Sequence, residues 1–175
     1  MSNARNLANV LGTSTTIPTD KLPTGGVVQV KHAESNTVSS HTSSFSDTNL
    51  TVSITPTSAS NKILIHISFI YGHTDSTAVD CRVEKVIGST TTYLHFDEDD
   101  GGPRSTLGNI RAVQNVGQGF HGFSTIIEDS PATTSQVTYT LQGQADLGTL
   151  YINNRNDNNP VTDRLGHITI TEIAG

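Results

Sequence analysis

Charge is sparse in this chain. Only 15% of its residues are Asp, Glu, Lys or Arg, and Thr, Ser, Asn and Gly fill positions where soluble enzymes usually carry Lys and Glu. The ten basic residues are scattered and the formal charge is −6, which argues against nucleic acid as a partner, because phosphate-backbone affinity rests on clustered cations. Cysteine is also scarce. Cys81 stands alone and cannot form an intramolecular disulfide, and its place in the alternating run VDCRVEKVI makes it a small buried apolar residue. No apolar run is long enough to span a bilayer, and the polar N-terminus has no signal-peptide h-region, so no membrane partner is expected and the mature chain is expected to begin at or near Met1. Without a secretory route the sequon Asn49-Leu50-Thr51 carries no weight.

A sustained 3.6-residue period is missing after residue 26, whereas period-two patterns are plentiful. Leu50, Val52 and Ile54 alternate with Thr51, Ser53 and Thr55. Ile63, Ile65, Ile67, Phe69 and Tyr71 line one face of the next run, opposite the mixed set Leu64, His66, Ser68 and Ile70. A strand apolar on one face and half apolar on the other belongs inside a sheet covered by a second sheet or by neighbouring subunits. Val79, Cys81, Val83, Lys85 and Ile87 form a half-buried strand, Val137, Tyr139 and Leu141 another, and Ile168, Ile170 and Ile173 the last. Weaker strand signals begin at Val28, span Val38 to Phe45 and Thr90 to Phe96, and include the stretch to Ile127. Leu, Ile, Val and Phe make up about a quarter of the 175 residues, enough to fold. Many short strands separated by turn signals predict an all-β fold, an antiparallel β-sandwich of jelly-roll type, over residues 27–175.

Residues 1–26 read differently. Ala4, Leu7, Ala8 and Leu11 share one stripe of a short helix ending at Gly12, too short to persist in water without a surface to lie on. The Thr- and Pro-rich run to Gly26 is an extended linker.

Candidates for chemistry are few. Gly117 to Gly122 spells G-x-G-x-x-G, but the following FSTIIEDSP reads as a strand, and a dinucleotide fingerprint needs a helix there. The acidic loop with Asp97, Asp99 and Asp100 lacks EF-hand spacing, since Gly101 and Gly108 stand where ligands are required. The cluster Asn153, Asn154, Asn156 and Asp157 suits turns and also the bonding of sugar hydroxyls. Both loops are candidates for exposed, receptor-facing contacts. The histidines His32, His66, His95 and His167 fall in strands without zinc-type local spacing, so no metal site is expected within one chain, although a trimer axis would gather three copies of any one of them. No nucleophile motif is present, no cofactor is expected, and catalysis is not.

Three stretches are familiar together: ARNLANVLGTSTTIPTDKLPTGGVVQV, TVSITPTSASNKILIHISF and GTLYINNRNDNNPVTDRLGHITITEIAG. They cover much of the chain and resemble short structural proteins of marine and cyanobacterial tailed phages, of tail-fibre-like or capsid-decoration type. That resemblance implies a virion protein with an N-terminal anchoring segment joined to a β-sandwich head, commonly trimeric, and brings no catalytic residues. Anchoring would fall to Ala4, Leu7, Ala8 and Leu11, with other virion proteins as partners. A carbohydrate-binding module for host adsorption is the rival reading.

Overall fold

The computed structural model describes residues 22–74, 78–94, 109–111, 121–154 and 165–175. Every regular element in them is a strand: β1 (Val27–Ser35), β2 (Ser39–His41), β3 (Ser46–Ile54), β4 (Lys62–His73), β5 (Ala78–Ile87), β6 (Thr90–Leu94), β7 (Asn109–Arg111), β8 (His121–Asp129), β9 (Val137–Ala145), β10 (Leu150–Ile152) and β11 (Gly166–Ile173). No helix among the described residues is long and apolar enough to cross a membrane.

The strands form two antiparallel sheets. In the first, β4 is flanked by β8 on one side and by β11 and β10, end to end, on the other; β11 then pairs with β1, and β10 with β2. In the second, the order is β3-β9-β5, with β6 and β7 sharing the far edge of β5. If each end-to-end pair counts as one level, the described strands make eight levels, namely β1/β2, β3, β4, β5, β6/β7, β8, β9 and β10/β11. The sheets then read first-eighth-third-sixth and second-seventh-fourth-fifth. That interleaving of two Greek keys is the jelly roll.

Period-two patterning decides what lies between the sheets. Ile63, Ile65, Ile67, Phe69 and Tyr71 of β4 are buried, as are Ile168 and Ile170 of β11, and they face Leu50, Val52, Ile54, Val79, Cys81, Val83, Val137, Tyr139 and Leu141 from the second sheet. The Cys81 thiol is fully buried, and burial first, with the Asp80 carboxylate second, pushes it up to about 12. It is therefore an inert core group.

One inward row departs from an apolar interior. Across the first sheet Gln29, Glu172, Ile63 and Asp129 lie side by side. Glu172 is fully buried and accepts hydrogen bonds from Gln29 Nε2 (2.6 Å), Thr57 N (2.7 Å), Thr57 Oγ1 (2.9 Å) and Asn61 Nδ2 (2.6 Å). Asp129 takes Lys85 Nζ at 2.9 Å on one oxygen and the Tyr139 hydroxyl at 2.8 Å on the other, tying the two sheets together. Buried carboxylates persist only when paired and hydrogen-bonded in this way.

Candidate functional site

The outer faces of the two sheets differ in chemistry. On the second sheet the outward side chains bind one another. Thr51 bonds to Thr140 at 3.2 Å and Ser53 to Thr138 at 2.8 Å. Gln142 donates to Asp47 (2.7 Å) and accepts from Arg82 Nε (2.7 Å), whose guanidinium stacks on Phe45 and Tyr93, 4.0 and 3.6 Å from their ring centroids. This face satisfies itself, and the flat cation sits between two aromatic rings.

No described element covers the outer face of the first sheet. Cross-strand registers order it in rows: Val30, Thr171, Leu64 and Glu128; then His32, Thr169, His66 and Ile126; then Glu34, His167, Ser68 and Ser124. Ile70 lies beyond, opposite Gly122, beside which there is open space. Val30 is 53% and Ile126 61% exposed, while Leu64 and Ile70 are half-buried. Val27 and Leu165, at the start of β1 and just before β11, add further exposed apolar surface to the same sheet. Charge on the face is confined to its edges, where the exposed pair Lys62–Glu128 (2.6 Å) contributes little. A broad face of Thr, Ser and His carrying separated aliphatic side chains suits contact with another protein surface.

At the β1 edge of the same face lies a compact group. Glu34 Oε2 is 3.7 Å from His32 Nε2 and 3.9 Å from His167 Nδ1. The two imidazole rings stack at 5.5 Å, and His32 Nδ1 is 2.8 Å from Thr169 Oγ1. His32 and Glu34 are two apart on one strand, and His167 is the cross-strand partner of Glu34, so the pleat itself brings the three together. Sequence spacing gave no sign of this group, because its members sit on strands at opposite ends of the chain; the one local trace was His32-x-Glu34 in a strand pattern.

The residues expected to matter from sequence are placed unevenly. Ala4, Leu7, Ala8, Leu11, Asp97, Asp99, Asp100, Asn156, Asp157 and His95 lie outside the described residues. Asn153 and Asn154, expected in an exposed loop, are buried at 1% and 0% exposure, and that expectation is corrected. Asn153 adopts a positive φ of 59°, donates from Nδ2 to the Ser35 carbonyl at 2.9 Å, and bonds through its backbone N–H to the Ile70 carbonyl at 2.7 Å. It fastens the end of β10 to the β1 side of the sheet instead of facing solvent, and Asn tolerates that backbone conformation better than most residues. The segment after Gly122 is a strand, as expected for a chance glycine pattern. The buried carboxylates Asp129 and Glu172 are engaged by groups of the fold itself.

No family model and no curated protein matches the chain. Among solved structures it is similar to infectious bursal disease virus of the Gx strain, at TM-score 0.36 and 8% identity, over 85% of this chain and 43% of that one. It is also similar to the VP2 subviral particle of infectious bursal disease virus, at TM-score 0.38 and 10% identity, over 83% of this chain and 38% of that one. The chain thus spans less than half the length of either.

Proposed function

We propose that this chain is a non-enzymatic structural component of a virion, assembled as a homotrimer through the outer face of its first sheet and attached to the particle by its N-terminal segment. The observation that carries the reading is that face: Val30, Leu64, Ile70 and Ile126 point outward from a rigid jelly roll with little charge among them. A closed symmetric oligomer buries such a face on every copy at once. The resemblance of the sequence to tailed-phage structural proteins supports the same reading, as does a surface in which short Thr and Ser side chains replace flexible charged ones. In this scheme Ala4, Leu7, Ala8 and Leu11 dock on another virion protein, the linker spans to the head, and the head stands exposed as a fibre tip or a capsid decoration.

Deleting residues 1–24 tests the attachment. The truncated protein is expected to stay folded and oligomeric yet to be absent from purified particles; normal incorporation would overturn the anchor assignment. A glycan array probes the head. Specific binding there would favour a host-adsorption module over pure decoration.

A further inference from the structure

We infer that His32, Glu34 and His167 form a binding site for a divalent transition-metal ion, with zinc as the metal that the donor set fits. The potential ligand atoms of these three residues all lie within 4.8 Å of one another. Bonds of about 2.0–2.2 Å to one ion place neighbouring donors roughly 3.3 Å apart in a tetrahedral shell. Starting from 3.7 Å and 3.9 Å to Glu34 Oε2, closure takes only small side-chain rotations, and all three side chains are exposed enough to make them. The backbone does not have to move, because β1 and β11 already fix the three Cβ positions on one face.

The donor chemistry narrows the metal to a transition ion. Two imidazole nitrogens and one carboxylate oxygen suit zinc, copper or nickel, whereas calcium and magnesium take shells of oxygen. The Thr169 hydroxyl can accept from His32 and so accommodates the ligating tautomer. When the Nδ1–H of His32 donates to Thr169 Oγ1 at 2.8 Å, its Nε2 lone pair is left facing Glu34 and His167. A partner of that kind behind a ligating histidine holds the ring in its ligating orientation. Three protein donors leave at least one coordination position open to water or to a ligand from outside. The site is complete within one chain, so it stands whether or not the chain assembles through this face.

The test is a titration of tag-free, chelator-treated full-length protein with zinc chloride by calorimetry, with copper(II) and calcium in parallel. One zinc per chain is expected. His32→Ala and His167→Ala are each expected to weaken it by at least about tenfold, and Thr169→Val, which touches no metal, by about tenfold as well, the range for lost outer partners. His66→Ala, one strand away on the same face and bonded to Ser124 at 3.1 Å, is expected to leave the affinity unchanged. Copper(II) bound to the parent is expected to show nitrogen splitting from two imidazoles in its electron paramagnetic resonance spectrum, and from one in either histidine variant. Absence of zinc binding up to about 100 μM, affinities in His32→Ala and His167→Ala equal to the parent, or an equal loss in His66→Ala would each overturn the assignment.

Discussion

Glu172→Gln is the most informative single change to the fold. The substitution keeps the shape of the side chain and removes its charge, replacing one acceptor oxygen with an NH2 group. If the amide oxygen faces Thr57 N, Thr57 Oγ1 and Asn61 Nδ2, the new NH2 points at Gln29 Nε2, which is itself a donor. Gln29 cannot simply turn over, because the same NH2 also donates to the Thr55 carbonyl at 2.9 Å. One charge-assisted bond is lost, two donors are left facing each other, and the remaining three bonds lose their ionic character. At about 1.5–3 kcal/mol for a hydrogen bond to a charged group, the loss is expected to be roughly 3 kcal/mol near neutral pH. Burial raises the Glu172 pKa, but the bonds from Asn61, Gln29 and Thr57 outweigh it, and the net value is lowered from the ordinary 4.5. A carboxylate with a depressed folded pKa stabilises fully above its unfolded pKa, and that contribution disappears as pH falls through the folded value. The gap between parent and variant is therefore expected to be widest at pH 7 and to shrink below pH 4.5. Urea denaturation at fixed protein concentration, followed by circular dichroism over that range, reads both quantities. A variant within about 1 kcal/mol of the parent at neutral pH, or a gap unchanged by acidification, would refute the role given to this carboxylate.

Two further outcomes follow from packing and burial. Ile67→Ala empties a fully buried position at the centre of β4; the usual cost of about 2–5 kcal/mol and about 2–4 °C per kcal/mol for a domain of this size place the melting temperature roughly 4–20 °C lower in a thermal scan. His41 is buried, with its ring nitrogens 2.7 Å from the Ser46 and 2.8 Å from the Ser39 hydroxyls, and burial lowers its pKa from the ordinary 6.5 despite the opposing Asp47 charge. The unfolded chain therefore takes up a proton that the fold refuses. Stability is expected to fall as pH drops below 6.5, by up to about 1.4 kcal/mol per pH unit, with a shallower slope in His41→Asn measured by the same denaturation.

Much of the sandwich was legible because it rests on period-two alternation, which needs no tertiary information. Ile63 to Tyr71, Val79 to Ile87 and Val137 to Leu141 are strands with the expected faces inward. The last strand holds Ile168, Ile170 and Ile173 as expected, and strict alternation within it puts Glu172 inside with Ile168 and Ile170 and leaves Ile173 half-buried. Nothing local announces a buried acid, because burying it is costly and the offsetting donors come from Gln29, Thr57 and Asn61, more than 110 residues away. The polar run Val38 to Phe45 is a strand only over Ser39–His41, since its hydroxyls have little apolar burial to hold them in register. Asn153 and Asn154 looked like loop residues because Asn favours turns; which of them a neighbouring strand buries depends on strand order, and composition does not contain that. The same holds for the His32, Glu34 and His167 group, which exists only once β1 lies beside β11.

The central claim is that the outer face of the first sheet joins copies of this chain. Sedimentation velocity of the full chain, beside Leu64→Glu and Ile126→Glu variants shown by circular dichroism to keep the parent's strand content at the working temperature, tests it most directly. The account predicts a trimer for the parent and monomers for both variants. A monomeric parent, or variants that remain trimeric, would contradict it.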